Sequence, residues 1–118
     1  MNLPLILIAL DDASIGVFNH KKYLISAVEA PDIDNYRVFD KDGVELRFNV
    51  IKKQTLGLFL GNEIDIVNAI PPTKDLETVI EYITRNLAHH HLRIQQDRID
   101  DLPYLLGLLI EVKGFNKI

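Results

Sequence analysis

Residues 35–51 read Asn-Tyr-Arg-Val-Phe-Asp-Lys-Asp-Gly-Val-Glu-Leu-Arg-Phe-Asn-Val-Ile. Val44, Leu46, Phe48 and Val50 alternate with Glu45, Arg47 and Asn49, a period of two that belongs to a strand with one buried face. Asp42-Gly43 supplies the turn before it. A two-residue loop would set Arg37 opposite Phe48. A three-residue loop, Lys41-Asp42-Gly43 with Gly43 at positive φ, sets Tyr36 opposite Phe48 and Val38 opposite Leu46, so the apolar pattern selects the latter. The hairpin itself carries no recognisable chemistry.

Outward from this hairpin, 118 residues with 47% hydrophobic and 25% charged content predict one globular domain spanning 1–118, long enough to bury a core without covalent staples. The chain has no cysteine, which removes disulfides, thiolate nucleophiles and cysteine zinc sites and fits a cytoplasmic protein. The apolar start Leu3–Leu10 lacks a positive n-region and is closed by Asp11-Asp12, so a buried strand is expected there and not an export signal. The run Tyr104–Ile110 is far shorter than the roughly 20 residues of a membrane helix. With a net charge of −4 and no basic face, nucleic acid is not an expected partner.

In chain order, Leu3–Leu10, Ile15–Asn19, Tyr23–Ala30, the two arms of the hairpin, Leu56–Leu60 and Ile64–Ile70 read as seven short strands. His20-Lys21-Lys22, Pro31 to Asp34, Lys52-Lys53-Gln54 and Gly61-Asn62 read as turns between them. At Pro71-Pro72-Thr73 the period changes. Leu76, Val79, Ile80, Ile83 and Leu87 share a helical face, so a helix is expected from about Thr73 with acidic residues in its first turn. Asp101, Pro103 and Gly114 bracket a second helix with a stripe of Leu102, Leu105, Leu106, Leu109 and Val112. Gly107 costs such a helix about 1 kcal/mol relative to Ala, and a buried strand over Leu105–Ile110 stays open. The expectation is an α+β fold: an antiparallel meander from the first 70 residues, with one or two C-terminal helices on one face and the other face uncovered.

In a meander, alternate turns share one end of the sheet. Asp11, Asp12, Glu29, Asp32 and Asp34 would then form an acidic edge, able to meet a basic protein, to hold a divalent cation, or simply to close local turns. Lys52 and Lys53 would fall at the same end. The register also sets Arg37 opposite Arg47, a like-charge pair that either binds anions or is relieved by Glu45. Asp40-Lys41-Asp42-Gly43 looks like the start of a calcium loop, but its further ligands do not follow. His89-His90-His91 cannot converge on one ion from a helix and suits a helix C-terminus instead. No nucleophile elbow surrounds Ser14 or Ser26, and no glycine-rich phosphate loop is present.

A small, acidic, cysteine-free α+β chain with clustered loop carboxylates and no catalytic motif resembles the immunity proteins of toxin–immunity pairs, which bacteria keep in the cytoplasm. The resemblance covers the general build of the chain and rests on no motif, so it transfers no residue roles. It implies a non-catalytic module that neutralises a basic nuclease toxin, with no metal or cofactor; the acidic edge and the hairpin register, not the resemblance, offer Asp11, Asp12, Glu29, Asp32, Asp34, Arg37 and Arg47 as the expected partner contacts. Two other readings remain open: a small-molecule enzyme using Asp11, Asp12 and a histidine, and a structural subunit of a larger assembly.

Overall fold

The computed structural model describes residues 1–116, with the backbone alone for Thr55 and Leu60. Strand β1 (Leu5–Ala9) is buried along its whole length, as a strand apolar at both parities requires. Strand β2 (Ile15–Phe18) pairs with one side of it, from Leu5↔Phe18 to Ile8↔Ile15. Strand β3 (Tyr36–Phe39) pairs with the other, from Ile6↔Phe39 to Ala9↔Tyr36. With β4 (Val44–Thr55) and β5 (Leu58–Lys74) these make a five-stranded antiparallel sheet in the order β2-β1-β3-β4-β5. The fold is α+β as expected, with fewer strands than the seven predicted.

The expected strand at Tyr23–Ala30 is in fact helix α1 (Lys21–Ala27). Strands β2 and β3 both run antiparallel to β1 and are therefore parallel to each other, and joining them demands a crossover over β1. Helix α1 and a 3-10 segment (Ala30–Asn35) form that crossover. Tyr23, Leu24, Ala27 and Val28 stand at helical spacing with Leu24 and Val28 buried, a pattern hidden by the β-propensity of Tyr23 and Ile25.

Both faces of the β2-β1-β3 region are consequently covered, and the uncovered second face does not exist there. Ile6, Ile8, Ile15, Val17 and Phe39 pack under helices α2 (Leu76–His89) and α3 (Leu102–Lys113). Leu5, Leu7, Phe18, Val38, Leu46, Ile64 and Ile66 pack on the opposite face with Leu24 and Val28. Asp75 caps α2 by accepting the Thr78 N–H at 3.2 Å, and Asp101 caps α3 by accepting that of Tyr104 at 3.1 Å. Strand β5 runs on to Lys74, so α2 starts three residues past Thr73. Leu102, Leu105, Leu106 and Leu109 are buried in α3, which settles that segment as helix. Among the described residues no helix is long and apolar enough to cross a membrane.

The hairpin has the register that the apolar pattern selects: Val38 faces Leu46 and Gly43 has φ +81°. Asp40 is buried and organises the loop, its Oδ1 accepting the N–H groups of Asp42 and Val44 at 2.9 and 3.1 Å and its Oδ2 that of Asn2 at 3.3 Å. Beyond this region β4 and β5 continue as a two-stranded arm. The expected turns at Lys52-Lys53-Gln54 and Gly61-Asn62 are strand. The chain reverses instead at Leu56-Gly57, both at positive φ (54° and 77°) between the paired Thr55 and Leu58, as a two-residue hairpin loop requires. Polar residues signal a turn only where a strand must bury one face, and the arm buries neither. At the base of the arm, Ala69 to Pro72 loop out between the pairs Leu46↔Asn68 and Glu45↔Thr73, since Pro71 and Pro72 have no N–H to give a ladder.

The two sheet edges differ. On β2 the Val17 carbonyl accepts the Asn116 N–H at 2.6 Å, the Val17 N–H donates to Asn116 Oδ1 at 3.3 Å, and Lys113 Nζ donates to the Ile15 carbonyl at 2.6 Å. On β5 the carboxylate of Asp65 accepts the N–H of Ile66 at 2.8 Å.

A Cβ on Gly43 would sit 2.7 Å from Leu76 Cδ2, on a backbone at φ +81°. Gly43→Ala should therefore cost about 2 kcal/mol, read from the urea midpoint. Gly57→Asn, where nothing lies within 4 Å, should change stability by less than about 0.5 kcal/mol. Equal effects at the two positions would show that the approach of Leu76 does not constrain the turn.

Candidate interaction surface

Strand β1 stops and β3 starts at the same end of the sheet, and hydrogen bonds join the two loops there. The Leu10 N–H donates to the Asn35 carbonyl at 2.8 Å and the Asp11 N–H to Asn35 Oδ1 at 3.1 Å. Asp11 and Asp12 thus stand beside the 3-10 segment that carries Asp32 and Asp34, with Glu29 at its start. All five carboxylates are exposed at this end, but they do not form one cluster. Asp11 and Asp12 border a cleft of about 340 Å³ with Ser14, Tyr36, Lys113 and Asn116. Glu29 lines a separate groove, while Asp32 and Asp34 border neither. Among the described residues no three acidic or histidine groups come close enough to hold a metal ion.

The polar groups of the small cleft are largely engaged. Asp12 Oδ1 accepts the Ser14 N–H at 2.9 Å, and this bond holds the carboxyl below its ordinary range. Lys113 Nζ is taken up by the Ile15 carbonyl, and burial pushes the amine below the usual lysine range. Such a cleft closes a loop and an edge strand more readily than it supplies an acid and a base.

Arg37 is not left facing Arg47. Its Nε and one terminal nitrogen bond both oxygens of Glu45 at 2.9 and 2.7 Å, and the same terminal nitrogen reaches Asp75 Oδ2 at 3.0 Å. The guanidinium also lies 5.0 Å from the centre of the Phe39 ring. Two carboxylates raise the Arg37 pKa further above its already high value. This is the diagonal Glu45 pairing, extended to the helix cap Asp75, whereas Arg47 is exposed with no ion pair among the described residues. Lys52 and Lys53 stand on the arm, which continues past the end of the sheet that the acidic loops occupy, and Lys53 meets Glu63 at 3.6 Å. His89 closes α2, with His90 as its C-cap.

What the sequence reading missed is the arm. Val50, Ile51, Leu58 and Phe59 are exposed, the last two by 67% and 59%, and Leu56 at the tip by 95%. The available signal was the absence of glycine and proline from Val44 to Leu56, which permits one long strand. Between the arm and α1 lies an open groove of about 730 Å³ lined by Ile25, Val28, Glu29, Ile51, Glu63 and Ile64, among others.

Comparison of the chain with protein-family models, with curated proteins and with solved structures found no match.

Asp75 links the hairpin to α2, and its carboxyl is held below the ordinary range by the Thr78 hydroxyl first, then by Arg37 and the Thr78 N–H. A depressed folded-state pKa gives stability that is complete above the unfolded value, about 3.9, and is lost as pH falls through the lower folded value. Stability should therefore decline from about pH 5 downward, and Asp75→Asn should show a shallower decline from a lower plateau. Parallel urea-unfolding profiles for the two proteins would refute this linkage.

Proposed function

We propose that this chain is a non-catalytic, cytoplasmic protein-binding module whose arm and acidic end meet a basic protein partner. The observation that carries this reading is the arm. The molecule measures 59 × 29 × 23 Å with a radius of gyration of 15.6 Å, against about 13.5 Å for a compact chain of this length. The extension carries Val50, Ile51, Leu56, Leu58 and Phe59 into solvent. Burying such side chains is worth about 1.5–3 kcal/mol each from full exposure, and a partner is the means of burying them. The neighbouring Asp11, Asp12, Glu29, Asp32 and Asp34 favour a positively charged one through long-range attraction. The finer reading, a bacterial immunity protein that neutralises a nuclease toxin, fits this combination of apolar contact and acidic steering.

The test is capture from lysate of the source cells followed by affinity measurement on the captured protein. Leu58→Ser with Phe59→Ser should leave the urea midpoint unchanged, since both side chains are exposed, while weakening binding roughly 30-fold. Asp32→Lys with Asp34→Lys should slow association and flatten its salt dependence. Capture indifferent to the arm would sink the module reading. An acidic captured partner would overturn the toxin reading alone.

A further inference from the structure

The groove beside the arm has a main-chain wall. The Ile66 N–H bonds the carboxylate of Asp65 and therefore points away from β4. In an antiparallel strand outward groups recur at every second residue, so Asn62 and Ile64 also turn their N–H and C=O groups outward. Among the described residues neither makes a hydrogen bond there. Both line the groove, with Glu63 and Asp65 on the same strand and Ile25, Val28 and Glu29 across from them. Strand β5 is thus blunted at Ile66 by Asp65 and further along by Pro71 and Pro72, whereas Asn62 and Ile64, on the tip side of Ile66, are open.

We infer that this groove receives an extended segment of the partner protein, bearing alternate apolar and Lys or Arg side chains, as a sixth strand on β5. The inference deepens the binding-module reading and rests on it. A strand at the usual spacing of about 4.8 Å from β5 would pair its main chain with Asn62 and Ile64. Side chains on its α1 side would meet the apolar surface of Ile25, Val28 and Ile64. The charge preference of the segment comes from Glu29. The groove is lined by three carboxylates, Glu29, Glu63 and Asp65, against one cation, Lys22. Lys21 holds Asp65 at 2.7 Å and Lys53 holds Glu63 only at 3.6 Å. Glu29 has no ion pair among the described residues, so a basic side chain is complementary there. A second copy of this chain is a poor occupant, because pairing two β5 edges about Ile64 sets Glu63 against Asp65.

Selection of a random peptide library against the intact chain tests the inference. Enriched sequences should alternate apolar residues with Lys or Arg, and an enriched peptide should slow hydrogen exchange at the Asn62 and Ile64 amides. Methylating alternate peptide nitrogens should abolish binding. Glu29→Lys should weaken the peptide roughly tenfold, the scale of one charge-assisted contact. Acidic or helically patterned sequences, protection at other amides, no enrichment at all, or protection that rises with protein concentration in the absence of peptide would each overturn it. The Leu58→Ser, Phe59→Ser variant should still protect Ile64. Arm-dependent capture of a partner without peptide binding at β5 would therefore overturn this inference and leave the module reading standing.

Discussion

Strand β1 has no side that can face water. Leu5 and Leu7 point to one face of the sheet and Ile6 and Ile8 to the other, and all are buried. A strand of this kind needs a layer on each face, and the chain meets that need with two different devices. The crossover from β2 to β3 lays α1 over Leu5 and Leu7, and the C-terminal pair α2 and α3 covers Ile6 and Ile8. The strand order follows from the same constraint, because β1 can be central only if its hairpin partner β2 and the returning β3 take opposite sides.

The C-terminal layer reaches its place through one corner. The Gly43 carbonyl accepts the N–H of Asp75 at 2.9 Å, and Arg37 joins Glu45 of β4 to the same Asp75. These contacts set the start of α2 against the tight end of the β3–β4 hairpin, over Phe39. Three half-buried charges share this corner, so each carboxylate has a hydrogen-bonded countercharge where neither would be stable alone. The loop at Ala69 to Pro72 lets β5 leave the arm and return to β4 at Glu45 and Val44 before α2 begins.

The packed layers end near Phe48 and Ile64, and the hairpin does not. Past that point neither face of β4 and β5 meets the body closely, so apolar residues there remain in water. The contrast with β2 is informative. Its edge is closed by Asn116 and Lys113, whereas β5 is protected only where Asp65 and the prolines stand. Edge strands are ordinarily blunted along their length, and an interval left open beside an apolar, carboxylate-lined groove marks the place where the molecule has pairing capacity to offer.

Much of this was legible in the residues. The alternation over Val44–Val50, Gly43 in the loop, the double-sided apolar run of β1, the stripe of α2 and the caps of α3 are local features, and local sterics and periodicity dictate them. The proximity of Asp11 and Asp12 to Asp32 and Asp34 also followed, although the meander that suggested it was replaced by a crossover reaching the same end. Three things were decided only by the tertiary structure. Tyr23 to Val28 became a helix because β3 had to pair on the far side of β1. Arg37 was drawn to Asp75, 38 residues away in sequence, because α2 begins at the hairpin's end. The arm kept its strands through Lys52 to Asn62 because solvent on both faces removes the alternation that sequence patterns report. The sequence by itself determined which residues must be buried and where the chain can turn. Which strand lies in the middle, which edge stays open and which apolar residues are left in water depend on long-range pairing, which no local pattern encodes.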